Sequence, residues 1–578
     1  MKKINEKITE VIKKSSIFLL MEIVAILLIT TTLFIFKITI TKWHLPIITC
    51  IAAIVFLLFY KKENIKTNLI SLIVGMIIFT GVTYVEGKIY DATADGNTYH
   101  KLAIGCMKNG WNPNYEDSKD RNKENGNCFD VSEDNINTLW IDHYAKGTEI
   151  FASVVYAFTG NIESGKGYTL LLMYSAFGII FSYLYKNKKR NLFTSIIIPF
   201  LLSFNAITLV QIFNFYVDGT LMISILLIIF SCLVEKDKDN TNTKENLFIL
   251  FSNILICINA KFTGIAFAAL YCLGFYIYWI VKAFMESKEK GIKELKKYTI
   301  FYTITVIISV LIVGYSSYTR NLIDHGNPLY PLYGKGHVDN MVVQEQPSSF
   351  KDKNHAEIFL ISMFSKGVNV SPSYSDENVQ PTLKIPGTIS MDEIKNYSIP
   401  DIRISGFGPL FSCIFIISII TTIIIIAKLI KEKKYDKLIQ YSIILGITAI
   451  LILALDGNYW ARYIPYFYAI PLISMSYLLW DKEKKIKFGI GILMSAIMLV
   501  NSILVCGTVL YSTKSNNAYI KRNINDSIQY FKENKNVDIK LNHIGLQGVL
   551  YNLDDLKIKN YTINQNIKAE RDGYFYRY

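Results

Sequence analysis

Two aspartates, a tyrosine and a histidine stand close together in the segment Asp91-Ala-Thr-Ala-Asp95-Gly-Asn-Thr-Tyr99-His100. The steps from Asp95 to Tyr99 and His100 suit one face of a helix. A carboxylate beside an imidazole is suited to general-base work. The same residues admit a structural reading, with Asp95 as the N-cap of a helix that begins at Gly96. Four further clusters could supply charge. Arg320-Asn321 precedes His325-Gly-Asn327-Pro-Leu-Tyr330-Pro331, and Asp456-Gly-Asn-Tyr-Trp-Ala leads into Arg462-Tyr463-Ile-Pro465. Tyr216-Val-Asp218 opens one apolar run, and Asn259-Ala-Lys261-Phe-Thr263 places a lysine among apolar neighbours. Arginine's planar fork makes paired hydrogen bonds to phosphate oxygens, yet an arginine at a membrane boundary can simply extend to water. Asp218 and Lys261 are functional candidates by position, or they pair only with each other. Trp140-Ile-Asp-His143-Tyr-Ala-Lys146-Gly147 completes the inventory.

The elements that must position these groups are membrane spans. Hydrophobic residues make up 51% of the 578, and the mean hydropathy is +0.29. Runs of roughly 17–25 apolar residues are long enough to cross a bilayer, and such a run must be helical because lipid satisfies no backbone polar group. The sequence predicts an all-α polytopic protein with thirteen spans, near 16–36, 44–60, 67–85, 168–185, 191–209, 218–234, 246–259, 262–284, 298–318, 407–430, 439–455, 462–480 and 487–511.

Charge sets the orientation. The connections 61–66, 186–190, 235–245, 282–297, 428–437 and 481–487 each carry several Lys or Arg, whereas 211–217 carries none and 456–462 one. Lys37 and Lys42 in the first outer turn are the exception. By the positive-inside bias residues 1–15 are cytoplasmic. The membrane domain is 16–510, with large outer loops at 86–167 and 319–406, and the tail 511–578 is an outer lobe with short strands. The apolar stretch 148–159 is assigned to the first outer loop, because counting it as a span would put every later basic loop outside. No cleavable signal is evident after Lys2, Lys3, Lys13 and Lys14. The net charge of +14 is a topology signal, its basic residues scattered over separate loops, and argues against a nucleic-acid partner. Six of the eight cysteines fall within spans; Cys106 and Cys128 share the first outer loop, where an oxidising compartment permits a disulfide. Neither Cys-x-x-Cys nor Cys/His zinc spacing occurs.

Every candidate cluster falls on the outer side of this topology. A carboxylate, a histidine and several cations beside lipid suit group transfer from a lipid phosphate, with the cations stabilising charge on the departing phosphate. A polyprenyl-linked glycan transporter or flippase should instead carry mid-membrane charges and repeat symmetry. A glycan polymerase or ligase also uses large outer loops and arginine, but has no need of a base at Asp95.

In the order and placement of Asp95-x-x-x-Tyr99-His100, His143-Tyr144-Ala-Lys146-Gly147, Tyr216-Val-Asp218, Lys261-x-Thr263-Gly264, Arg320-Asn321…Gly326-Asn-Pro-Leu-Tyr-Pro331 and Arg462-Tyr463-Ile-Pro465, residues 85–470 resemble the GT-C-fold glycosyltransferases. The likeness is to the bacterial class related to protein mannosyltransferases and aminoarabinose transferases. The resemblance implies a polyprenyl-phosphate-sugar donor in the cell membrane. It also implies transfer at the extracytoplasmic face, usually with inversion, to an acceptor glycan, lipid or protein. It makes Asp95 the catalytic base, with Asp91 in reserve and His100 beside it. Lys146, Lys261, Arg320 and Arg462 become donor-phosphate contacts, and Tyr99, His143, Asp218, Asn327, Tyr330 and Tyr463 substrate contacts. Three spans precede the loop where family members often have one, and Ala145 stands where proline is usual. No tight Asp-Asp or Asp-Glu pair is present, so no cofactor is required and a divalent cation stays open.

Overall fold

The computed structural model describes residues 2–125, 136–239, 242–369, 380–543, 546–569 and 571–578. It is mostly helical, and each of the thirteen apolar segments overlaps a helix. Among the described residues nine helices are long and apolar enough to cross a membrane, and three shorter apolar ones lie at His44–Phe59, Leu192–Ser203 and Pro465–Leu479. This set of long apolar helices is compatible with an all-α polytopic membrane protein. The Asp218–Glu235 helix is central, with 89% of its apolar window enclosed. Lys288–Val313, at 22%, and Phe411–Lys431, at 28%, turn their Ile and Leu side chains outward.

Four of the helices that start at the basic end are closed by polar caps. Asn64, Asn191 and Asn242 accept from the backbone N–H of Thr67, Thr194 and Glu245, and Ser287 accepts from that of Lys290. Each satisfies one donor that the first turn leaves unpaired.

Several predicted spans differ from simple helices. The 191–209 run breaks at Phe204, and Asn205 starts a new turn, Ala206–Leu209, with a capping box to Thr208. The 462–480 run begins as two tight turns, Ala461–Tyr463 and Pro465–Tyr468, because Pro465 lacks the N–H that a continuous helix would need. The 487–511 run does not stop at the expected tail boundary. It continues as the 49-residue helix Lys485–Glu533, about 74 Å long at 1.5 Å per residue.

Contacts divide the connections into two groups. At the basic end Lys13 pairs with Glu245 (2.9 Å), Lys14 with Glu63 (2.7 Å), Lys186 with Glu10 (3.3 Å) and Lys236 with Glu294 (2.7 Å). At the other end Asn112 donates to the Phe34 carbonyl (2.9 Å), Trp140 to Asp339 (2.9 Å), Ser512 to the Ser398 carbonyl (3.2 Å) and Asn517 to the Lys88 carbonyl (3.1 Å). In these contacts both outer loops and the tail meet one another, and the basic connections meet one another.

The tail is a small lobe with its own core around Ile539, Val549 and Phe531. Its strands β1 (Val537–Leu541), β2 (Tyr561–Ile563) and β3 (Tyr576–Arg577) are ordered β2-β1-β3, with β1 parallel to β2 and antiparallel to β3. The lobe packs on the first outer loop. Lys101 donates to Asn552 (2.9 Å) and Tyr574 (3.1 Å), and Asp555 accepts from Tyr156 (2.6 Å). The stretch 148–159, assigned to the first large loop rather than to a span, is the buried helix Gly147–Thr159, packed against Lys101–Lys108. Cys106 is disulfide-bonded; Cys128 lies outside the described residues.

Candidate functional site

The segment after the Ile65–Glu86 helix separates its two aspartates into different roles. Asp91 is fully buried. One carboxylate oxygen accepts from the Thr93 N–H (2.8 Å) and hydroxyl (2.6 Å), the other from the Phe215 N–H (2.9 Å). Asp91 therefore ties the first outer loop to the turn before the central helix and is not an open base. Gly96 is required by this packing, since a Cβ there would stand 2.0 Å from Asp91 Oδ2.

Asp95 is not a cap. Its side chain makes no capping hydrogen bond, and the Gly96 N–H donates instead to Thr93 Oγ1 (3.2 Å). The carboxylate keeps 28% of its surface open, against 2% for the Asp218 side chain, and it accepts from the Tyr99 hydroxyl at 3.4 Å. It lines two cavities at once, one of about 780 Å³ and a smaller one of about 80 Å³. Trp140, Tyr216, Met341 and Arg462 are common to both.

Arg462 is the electrostatic centre. The turn ahead of Pro465 buries it, and its guanidinium lies 3.4 Å from Asp401 and 3.8 Å from both Asp95 and Asp218. It also lies over the Trp460 ring (4.3 Å) and the Tyr216 ring (5.3 Å), contacts that favour a cation. Asp218, at the start of the central helix, accepts from Lys261 (2.6 Å) and Gln211 (3.0 Å). The two charges suspected of pairing do pair. Lys261 also lies 4.0 Å over the Tyr463 ring and, with Tyr463, faces the smaller cavity. On the larger cavity Arg403 pairs with Asp401 (2.9 Å) and Glu345 (3.3 Å) and covers Trp460 (3.9 Å). Although a fifth of the Asp401 side chain stays open, burial lifts its carboxyl above the usual range, Arg462 and Arg403 pull it back, and Asp95 and Asp218 push it up again. Burial, then the negative charges of Asp95 and Asp401, hold the Tyr216 phenol protonated.

His100 faces the smaller cavity and shares a hydrogen bond with Glu149 (2.7 Å). Burial acts against the Glu149 carboxylate, but His100 holds it below its ordinary range.

The structure thus brings Asp95, Tyr99, His100, Asp218, Lys261, Arg462 and Tyr463 together. It does not bring the other candidates. Arg320 spends its guanidinium on Asp117 (2.5 Å), Asp324 (3.1 Å) and the carbonyls of Pro113 and Glu116, so the expected convergence with Arg462 on one open cavity does not occur. Lys146 is buried and donates to the carbonyls of Asp142 and Tyr144, which closes the end of the Ile136–His143 helix; burial pushes its amine down. His143 is hydrogen-bonded to Asn321 (2.9 Å) and packs against His325 and Tyr330. Asn327 accepts from the Leu329 N–H and donates to the Tyr333 and Lys335 carbonyls, which fixes a turn.

Asp401, Arg403, Glu149, Asp339 and Trp460 were not singled out in the sequence. Asp339 accepts from Trp140 (2.9 Å) and from the Tyr144 hydroxyl, which joins the two outer loops across the smaller cavity. Among the described residues no three His, Cys, Asp or Glu side chains are placed to hold a metal ion. Asp95, Asp218 and Asp401 instead share Arg462 as their counter-ion.

Compared with known family models, curated proteins and solved structures, the chain shows no match.

Proposed function

We propose that this chain is a membrane glycosyltransferase of GT-C type. In this reading it has thirteen spans, its N-terminus in the cytoplasm, and a site facing the outer compartment. It moves a sugar from a polyprenyl-phosphate donor to a hydroxyl of an acceptor glycan, lipid or protein. The observation that carries the reading is Asp95, a partly open carboxylate at the junction of two cavities, the larger of which is of ligand size.

In the proposed reaction Asp95 takes the proton from the acceptor hydroxyl as its oxygen bonds to the anomeric carbon. The bond from that carbon to the phosphate oxygen breaks, and its electron pair leaves with polyprenyl phosphate. Tyr99 and Tyr216 orient the Asp95 carboxylate. Arg462 lowers the cost of gathering Asp95, Asp218 and Asp401 at one place, a positioning task. Lys261 and Arg403 are the cations on the cavity walls that face the leaving phosphate, in place of Arg320 and Lys146. Across the two cavities six carboxylates, Asp95, Glu149, Asp218, Asp339, Glu345 and Asp401, face three cations, Lys261, Arg403 and Arg462, an excess of three negative charges. The upward pressure on the Asp401 carboxyl lessens that excess and so eases the approach of an anionic donor.

The test is donor consumption. Purified protein in liposomes is given polyprenyl-phosphate hexoses radiolabelled in the sugar. Release of polyprenyl phosphate with label passing to an acceptor fraction supports the reading. Intact donor across the set, with label appearing only in the opposite leaflet, identifies a flippase instead.

A further inference from the structure

At the basic end of the bundle, on the side away from Asp95, a third cavity of about 610 Å³ opens between helices. Its walls are apolar, with Ile198, Leu202, Ile229, Leu429, Ile444 and Leu472. Its mouth carries six lysines against three carboxylates, a net of +3. The carboxylates do not neutralise all of them. Lys188 pairs with Asp237 (2.6 Å), Lys434 with Glu432 (2.6 Å) and Lys484 with Asp481 (3.5 Å), while Lys428 shares Glu432 at 3.6 Å. Lys437 and Lys487 form no ion pair among the described residues; the Lys487 ammonium lies 3.6 Å over the Tyr477 ring, at the cavity edge.

From this pairing of an apolar cleft with a lysine mouth we infer a binding site for one anionic phospholipid of the basic-side leaflet. Water is a poor occupant of the Ile and Leu walls, which offer it no hydrogen-bond partners. The protein offers no side chain to close it, and interiors do not tolerate voids of this size. An acyl chain from the surrounding bilayer does fill it. Its phosphate then reaches the plane of the unpaired lysines, where basic residues attract anionic headgroups. A soluble phosphate or sugar phosphate would satisfy the lysines and leave the apolar walls uncovered. The cavity belongs to the opposite end from the proposed transfer site, so this inference stands independently of the glycosyltransferase reading.

Full-length protein would be purified in mixed micelles containing equal phosphatidylglycerol and phosphatidylcholine, and retained lipid counted by native mass spectrometry. Phosphatidylglycerol should be retained preferentially. Lys437→Gln with Lys487→Gln should reduce that preference about fivefold per lysine removed and leave phosphatidylcholine unchanged. Ile229→Trp, which fills the cleft from the wall, should reduce retention of both lipids. Equal retention of the two lipids by wild type would overturn the inference, as would unchanged phosphatidylglycerol in both variants. Displacement by millimolar inorganic phosphate would reassign the site to a soluble anion.

Discussion

Replacing Arg462 by methionine keeps much of the side chain's length and removes its charge. The carboxylates of Asp401, Asp95 and Asp218 stand 3.4, 3.8 and 3.8 Å from the guanidinium. At such separations a charge pair near a protein surface carries about 4 kcal/mol of gross attraction. Three such pairs do not add, because gathering the charges out of water takes back most of that energy. The appropriate comparison is a buried ion pair broken from one side, which costs roughly 3–5 kcal/mol. Arg462→Met should therefore destabilise the outer loops by about that amount. Asp401→Asn should cost less alone and should offset part of the loss in the double variant, with a coupling of about 1–3 kcal/mol. The assay is a double-mutant cycle on unfolding of the detergent-solubilised protein, with hydrogen exchange locating the change. If Arg462→Met unfolds like wild type, or Asp401→Asn adds to its cost, Arg462 is not the counter-ion that assembles this site.

Three other perturbations test the frame around the site. Burial lowers the His143 imidazole to about 4 from an ordinary 6.5, so the stabilisation from its neutral form is complete above 6.5 and is lost as pH falls through 4. Protection of residues 319–333 against hydrogen exchange, corrected for the intrinsic pH dependence of exchange, should fall over that window, and His143→Asn should flatten the profile; a wild-type profile already flat would exclude His143 as the titrating group. A Cβ at Gly105 would lie 2.1 Å from the Tyr551 ring, so Gly105→Ala should loosen the tail lobe by about 1–3 kcal/mol, read as faster proteolysis after residue 533. Unchanged protection would mean the lobe is held elsewhere. Cysteines introduced at Lys186 and Asn566 should label from opposite sides of the membrane, and labelling from one side would refute the segregation of the two ends.

The long apolar helices were legible in the sequence because runs of about twenty apolar residues have one local solution where water is absent, a helix. The breaks were less so. Pro465 marked one of them, but only the capping box at Asn205 ends the 191–209 run, and that depends on geometry rather than hydropathy. Within the candidate site the Asp-x-x-x-Asp-Gly pattern did not say which aspartate is free. Asp91 is consumed by the Phe215 N–H, which lies 124 positions along the chain, and no local rule reports such a partner. Arg320 looked like a phosphate ligand at the end of a span, yet Asp117 and two carbonyls occupy it. Asp401, Arg403 and Asp339 carried no motif. They matter only because the second outer loop folds back over the first.

The most direct test of the central claim is a single-turnover measurement on Asp95→Asn with a polyprenyl-phosphate-sugar donor. The substitution keeps the size of the side chain and its contact with Tyr99 but removes its basicity. The account predicts donor affinity within about twofold of wild type and a transfer step slowed by roughly 10²–10⁴, the usual contribution of a general base. A transfer rate equal to wild type with intact folding would contradict it.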